Sequence, residues 1–464
     1  MHRTESVVFL SLVLDLFAFT IPLPLFPRLI EWYTLRESSD PSGFLSRTLQ
    51  SISFIRSIFY KSSVNSQRWD VILLGGLMGS VFSTLQFLVS PKIGSLSDKY
   101  GRKRILLISM IGNILSAIVW IQSTTFASYM LSRVIGGLSE GNVQLAIAIL
   151  SDITTVANRS KALAHVGIAF AVCFCIGPPI GAYFASRPLP HSLDSWGLEL
   201  NIYVVPAFLS LVLLVVETIF LLAFLPETRA KSSAEKEKPS SATLSTPLSR
   251  HVSGKGNSTC SDDINRAPKA NVDERLTTLK TLRWQHFLFL GIFSGMEFTL
   301  TFLTFDLLDW NNRQNGVLIG SIGVLSALLQ GGYVRRSMSK VGEGVMARRG
   351  VPALAMKLLQ GGAVCLAFTS ATVVNALTAY ASLQCDEGGF DDVTGKPKEE
   401  HPQLAKGRAL GQFRSSGQLG RAVGPLLACA SYWTFGPSVT YAVSALAMFA
   451  ISTNMRSVAV KRSL

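Results

Sequence analysis

The sequence predicts an all-α integral membrane protein built from two six-helix halves, on three observations. The 464 residues are 48% hydrophobic and 16% charged, with mean hydropathy +0.36; an ordinary globular chain is about 25% charged. Apolar runs approaching the ~20 residues that cross a bilayer recur along the chain. Short motifs also recur at similar offsets: the segment at 94–104 is partly repeated at 331–336, and that at 177–181 at 420–425. Paired halves of this kind are the arrangement of many secondary transporters.

The apolar runs set the elements in order. The first, 6–30, lacks the basic start and small-residue cleavage site of a signal peptide and reads as a span. Runs at 70–91, 104–122, 126–150, 162–185 and 202–225 complete six spans in an N-terminal half, residues 1–225. Residues 226–283 hold the charged stretch KSSAEKEK and a Ser/Thr/Pro-rich tract, a composition that cannot bury a core and predicts a flexible linker. The C-terminal half, 284–464, holds runs at 284–306, 316–334, 351–383, 410–433 and 439–452. Two spans need about 40 residues and a turn, so the run 351–383 holds either two short tilted helices or a region with a piece missing, giving eleven or twelve spans. A charged insert at 385–406 follows it.

The net charge of +14 fits cytoplasmic loops better than nucleic acid, since neither a zinc finger nor a basic heptad helix is present. Short loops at 92–104 and 335–349 are rich in Lys and Arg, whereas 123–125 and 434–438 have none. The positive-inside rule then places both termini and the linker in the cytoplasm. Cys173, Cys175, Cys260, Cys365, Cys385 and Cys429 mostly lie in apolar segments without metal-ligand spacing and read as small buried hydrophobes. No metal or cofactor is expected. Trp32, Trp69, Trp120, Trp284 and Trp433 fall near span ends, as interfacial aromatics do.

Charged residues inside spans are expensive and mark candidate sites. Asp15 and Glu297 lie near the middle of spans one and seven, which correspond in the two halves; Glu140 and Glu217 are further carboxylates, and Arg133, Arg414 and Arg421 further cations. The three arginines would make a cavity attractive to anions, and the carboxylates could carry protons. Asp98, with Arg102 and Lys103, sits at a helix junction where a carboxylate can pair with cations or accept N–H bonds from a neighbouring helix start. Gly94 and Gly101 allow tight turns there. Gly167, Gly177, Pro178 and Gly181, with Gly424 and Pro425 in the second half, allow close packing or bending. His165 reads as a packing residue.

Three of these segments resemble signatures of the major facilitator superfamily. Gly94-Ser-Leu-Ser-Asp98-Lys-Tyr-Gly101-Arg102-Lys103-Arg104 resembles G-x-L-x-D-x-x-G-R-[KR]. Arg133-Val-Ile-Gly136-Gly137 resembles the fourth-span R-x-x-x-G, and Gly177-Pro178-Pro179-Ile180-Gly181 the fifth-span antiporter signature G-P-x-x-G. Leu225-Pro-Glu-Thr228 ends the sixth span as in that family. Asp15 with its neighbours, Gly136 to Val143, and Phe293-Ser-Gly-Met-Glu297 resemble the tetracycline-transporter-like animal members, which implies organic anions as cargo. The resemblance implies alternating access, with the Asp98 cluster as a gate between the halves and Gly177 to Gly181 serving antiport. No P-loop or H-E-x-x-H segment is present, and Gly137-Leu-Ser-Glu-Gly141, which fits G-x-S-x-G, lies inside an apolar run rather than at a strand-to-helix turn, so neither ATP-driven pumping nor enzymatic chemistry is expected. The expected function is ion-coupled exchange, by proton antiport, of small organic anions or drug-like compounds. A receptor or scaffold retaining the fold is the alternative, favoured by the shortened 351–383 region.

Overall fold

The computed structural model describes residues 3–22, 25–37, 40–59, 66–185, 203–228, 272–308, 312–329, 332, 359–386 and 401–460. Among the described residues all regular structure is helical. Hydrocarbon supplies no hydrogen-bond partners, so each span must satisfy its own backbone, and the chain breaks where it can be repaired.

The first break comes early. Helix α1, Arg3–Thr20, ends before Pro22, which cannot donate to a helical ladder; the Ile21 N–H still bonds the Phe17 carbonyl at 3.1 Å. The run 6–30 is therefore not one continuous helix. Helix α2, Phe26–Arg36, restarts with proline in its first turn, and α3, Phe44–Phe59, follows. Hydropathy missed the break because Ile-Pro-Leu-Pro is as apolar as a span. Helices α2 and α3 cover one end of the bundle, where Leu29, Ile30, Tyr33, Leu45 and Ile52 share a core with Leu74, Met78, Trp120, Phe126 and Tyr129.

Helix α4, Ser66–Tyr100, runs through the segment expected as a loop. Only Gly101, at φ 103°, turns the chain before α5, Arg102–Ile121. The fourth span is also broken: α6, Phe126–Ser139, starts with a Thr125–Ser128 capping box, and α7, Asn142–Ile153, resumes after Glu140 and Gly141. Gly141 sits where a Cβ would press on Ile93 and Ser109. Helix α8, Val156–Ala185, carries Pro178 and Pro179, and α9, Val204–Phe224, closes the half.

In the second half α10, Val272–Leu308, begins ahead of the expected start at 284, lengthening the seventh span into the sequence read as linker. Residues 229–271 lie outside the described residues, as do 330–331 and 333–358, which hold most of the partial repeat of the 94–104 segment and the first part of the run 351–383. The rest of that run is a single helix, α12, Leu359–Leu383, after α11, Asn312–Leu328. Helix α13, Lys406–Val460, contains both final spans, folded at Gly436, whose φ is 84°.

The halves meet where α4 packs on the first arm of α13 and α8 on α11. Backbone repair joins them. Pro91 cannot bond the Phe87 carbonyl four residues back, and Ser415 Oγ of α13 donates to that carbonyl at 2.7 Å. Ser80 Oγ donates to the Ala422 carbonyl at 2.6 Å. A Cβ on Gly94 would collide with the Gly407 carbonyl oxygen, so Gly94 serves a helix crossing rather than a turn.

Six stretches of described helix are long and apolar enough to cross a membrane. The most apolar, Val204–Phe224, has hydropathy 2.6 but only 28% of its window buried in the protein. Phe208, Ile219 and Leu222 face outward, a surface that lipid covers.

Gly101→Ala tests the turn. Its Cβ would strain a positive φ and press on the Glu227 carboxylate. Roughly 1–3 kcal/mol of stability should be lost, read as a lower Tm of the purified protein in detergent; an unchanged Tm would refute this role for the turn.

Candidate functional site: a polar centre and a charged junction

Two groups of charged residues lie inside the bundle. The first is at the end where α4 meets α13. Asp98 Oδ1 and Oδ2 accept from the Gly407 N–H at 3.0 Å and the Arg408 N–H at 2.7 Å, placing a carboxylate on the N-terminus of α13, where the helix dipole favours it. Arg102, fully buried, reaches Asp98 at 2.8 Å and Asp152 at 2.9 Å. Its Nη1 also donates to Ser97 Oγ at 2.6 Å. Lys406 contacts Asp152 at 3.4 Å and donates to the Ser151 carbonyl at 2.9 Å. The chain Asp98–Arg102–Asp152–Lys406 thus crosses between the halves at Lys406, and the Asp98 bonds to Gly407 and Arg408 make a second crossing.

Neighbouring contacts tie further helix ends to this junction. Glu227 accepts from the Arg102 and Lys103 N–H groups at 2.8 and 3.2 Å, capping α5, while Lys103 Nζ donates to the Leu222 carbonyl at 2.9 Å. Arg159 donates to the Ser382 carbonyl at the close of α12, at 3.3 Å. Arg275 pairs with Asp386 at 2.9 Å, and the Asp386 N–H bonds the Leu404 carbonyl at 2.9 Å, so the flanks of the charged insert meet. Cys385, beside them, is buried, which pushes its thiol up to about 12; it stays protonated and inert at neutral pH.

The second group surrounds a cavity of about 70 Å³ lined by Asp15, Phe19, Phe82, Asn113, Trp120, Arg133, Glu140 and Leu214, among others. That volume holds a few waters or the polar head of a small ligand. The break between α6 and α7 organises one wall. Asn142, just after it, donates to Asp15 at 2.7 Å, and Asn113 donates to Glu140, just before it, at 3.4 Å. Glu217, 1% exposed, lies within electrostatic reach of Asp15 and Glu140, and its Oε2 has no hydrogen-bond partner. Arg414 of α13 is within electrostatic reach of Asp15 and Glu140.

Arg133 stands apart from those arginines. Its guanidinium carbon lies 5.9 Å from the Phe82 and Trp120 ring centroids and 5.4 Å from that of Tyr129. Its Nε is buried without an acceptor. Arg421 acts on Glu297, which is exposed, unlike Asp15 at 4%. The structure therefore joins Asp15, Glu140, Glu217 and Arg414, and Arg421, within electrostatic reach of Arg414, extends the group to Glu297.

The glycine segments are packing surfaces in both halves. Cβ atoms on Gly177 and Gly181 would strike Thr20 and the Ile21 carbonyl, at the break after α1. Thr20 Oγ1 donates to the Cys173 carbonyl at 3.1 Å across the same contact. Gly424, followed by Pro425, lies against the Gly291 carbonyl of α10. Each segment thus packs on the first span of its own half. Helix α8 continues through Pro178 to Ala185. His165 sits 3.0 Å from Glu5 with its ring against Phe9.

Sequence reasoning missed Asp152, Lys406 and Tyr129, and read Trp120 as interfacial. Trp120 is instead 2% exposed, because it packs between Tyr129 and Arg133. Only its closeness to an intramembrane arginine in the fold shows this. Asp152 and Lys406 are signalled weakly, as charges beside helix ends.

Residues 8–385 match the family described as Major Facilitator Superfamily. Over 463 residues the chain is 34% identical to major facilitator superfamily domain-containing protein 10 of Bos taurus, covering 96% of this chain and 90% of that protein. The crystal structure of the human organic anion transporter MFSD10 (TETRAN) superposes with a TM-score of 0.74 at 28% identity, covering 98% of this chain and 99% of that one. The FucP transporter in its outward conformation gives a TM-score of 0.57 at 12% identity, covering 98% and 99%, a likeness of fold alone. With two helical halves joined along α4 and α13, and with these matches running through nearly its whole length, the chain belongs to the major facilitator superfamily.

Proposed function

We propose that this multi-pass membrane protein is a proton-coupled carrier of small organic anions, working by alternating access between its halves. The observation that carries the reading is Arg133: a guanidinium on the cavity wall, ringed by Phe82, Trp120 and Tyr129, with no ion pair to a carboxylate among the described residues. A cation at such depth is expensive unless a partner arrives. The human relative of known structure is an organic anion transporter, which supports the same class of cargo.

Asp15, Glu140 and Glu217 supply the coupling. A second negative charge beside them is offset by a proton on one of the three, so an anion and a proton share the cavity. A cationic drug-like compound would instead compete with protons for these carboxylates, the antiport that the Gly177 to Gly181 segment suggests. The direction of coupling thus follows the charge of the cargo. The Asp98 junction holds one end closed, and positive-rich loops put that end, both termini and the segment between the halves (226–283) in the cytoplasm.

Two experiments test this. Proteoliposomes should take up organic anions saturably, faster when the pH gradient drives protons the same way, with Arg133→Ala lowering uptake at least about tenfold. Uptake indifferent to the gradient would remove the coupling, and none at all would remove the carrier reading. For the junction, spin labels at Ser95 and Gln403 in a background freed of native cysteines report its closure. Asp98→Ala removes a cap of about 0.5–2 kcal/mol, so the separated population should rise several-fold; an unchanged distance distribution would show that Asp98 is no latch.

A further inference from the structure

Helix α5 starts with consecutive cations, Arg102, Lys103 and Arg104, that meet different surroundings. Arg102 is fully buried against Asp98 and Asp152, and Lys103 Nζ donates to the Leu222 carbonyl. Arg104 is exposed and pairs with no carboxylate among the described residues. At 3.6 residues per turn it shares one helix face with Ile108, Ile111, Leu115 and Ile118. All four are exposed, Ile108 at 62% and Ile111 at 64%. The stretch Arg102–Ile121 is long and apolar enough to cross a membrane, so lipid covers this stripe. Arg104 therefore stands at the bilayer boundary, where its stem can lie on the stripe and its guanidinium can reach headgroups.

Helix α4 brings further cations to the same corner. Leu88, Lys92, Leu96 and Lys99 follow at helical spacing along one face, and all are exposed. Neither lysine pairs with a carboxylate among the described residues. Lys99 Nζ lies 5.2 Å from the ring centroid of Tyr100, itself half-exposed, and tyrosine is an anchor at membrane interfaces. Only Gly101 separates α4 from α5, so Lys99 and Arg104 flank a single turn. The carboxylates of that corner are engaged: Asp98 by the Gly407 and Arg408 N–H groups, and Glu227 by those of Arg102 and Lys103. Open positive charge above an apolar stripe complements the phosphate and the acyl chain of one molecule. A soluble anion would leave the stripe unused, and a neutral lipid the cations. We propose that Lys99 and Arg104, with the apolar face of α5 below them, bind an anionic phospholipid at the α4–α5 corner, outside the central cavity. In the orientation proposed above this is the cytoplasmic leaflet, which carries anionic lipid.

Radiolabelled phosphatidylglycerol, titrated into detergent micelles of the purified full-length chain, tests it; in micelles the result does not depend on which way the chain faces. Binding should saturate. A cation near an anionic lipid surface strengthens association about fivefold. Arg104→Gln should therefore raise the apparent Kd about fivefold, Lys99→Gln with Arg104→Gln about 25-fold, and Arg104→Lys little. Lys161→Gln is the control: Lys161 is exposed but is followed by buried Ala162, Leu163 and Ala164, so it heads no lipid-facing stripe and its loss should change nothing. Phosphatidylcholine and the tail-free headgroup glycerophosphoglycerol should compete poorly. The site is overturned if the double variant binds like the native chain, if Lys161→Gln weakens binding as much as Arg104→Gln, or if phosphatidylcholine competes as well as phosphatidylglycerol. Equal competition by glycerophosphoglycerol would overturn it too, since a headgroup alone would then suffice. Should the double variant fail to fold, Arg104→Gln alone decides.

Discussion

Hydrocarbon offers a peptide group nothing to bond to, and the design of this protein follows from where its helices break despite that constraint. At Pro91 the orphaned Phe87 carbonyl is taken by Ser415 from the other half. At the break after Thr20, Gly177 and Gly181 of α8 come close enough for backbone contact. At Glu140 and Gly141 the chain leaves helical geometry for two residues, and the flanking side chains turn to Asp15 and Asn113. Repairs from the opposite half join the halves, and repairs from the same half shape the cavity.

Charge is handled in two contrasting ways. At the Asp98 junction each charge has a close partner: Arg102 touches two carboxylates, and Asp98 commits both oxygens to the start of α13. Asp98 and Asp152 also keep 11% side-chain exposure, so water can replace their partners when the contact opens. In the centre, Arg133 and Glu217 are left with unpartnered atoms. Paired charges at a rim suit the proposed contact that closes and releases, whereas unpaired polar atoms at depth suit the proposed binding place.

Much of this was legible in the sequence because it depends on composition and local spacing. Apolar runs located most spans, and the 94–104 segment located the junction. The breaks were less legible. Ile-Pro-Leu-Pro after Thr20 and Glu-Gly at 140–141 lie inside stretches whose hydropathy reads as continuous, and only the contacts made by Gly177, Gly181 and Gly141 explain why they are tolerated. Asp15, Arg133 and Glu140 were visible as charges out of place. Their grouping was not, because Arg133 turns toward aromatic rings and Arg414 reaches Asp15 and Glu140 from the other half. Trp120 was misread for a related reason: nearness to a span end suggests an interface, whereas α2 and α3 fold over that end and bury it.

Helix α13 connects the two charged groups. Its first N–H groups, at Gly407 and Arg408, are held by Asp98, and Arg414 lies on the same unbroken helix. At about 1.5 Å per residue, the cap and Arg414 are roughly 10 Å apart along its axis. A helix of that length moves as a rigid rod. In the alternating access proposed above, opening the Asp98 contact would displace Arg414 relative to Asp15 and Glu140, which belong to the other half. The net charge felt in the cavity would then depend on whether the junction is closed. Arg133 belongs to the same half as those carboxylates and keeps its place beside them. On the proposed reading, a fixed arginine and a moving one, set against the same acidic wall, would let one rigid-body motion change both access to the cavity and its affinity for charge.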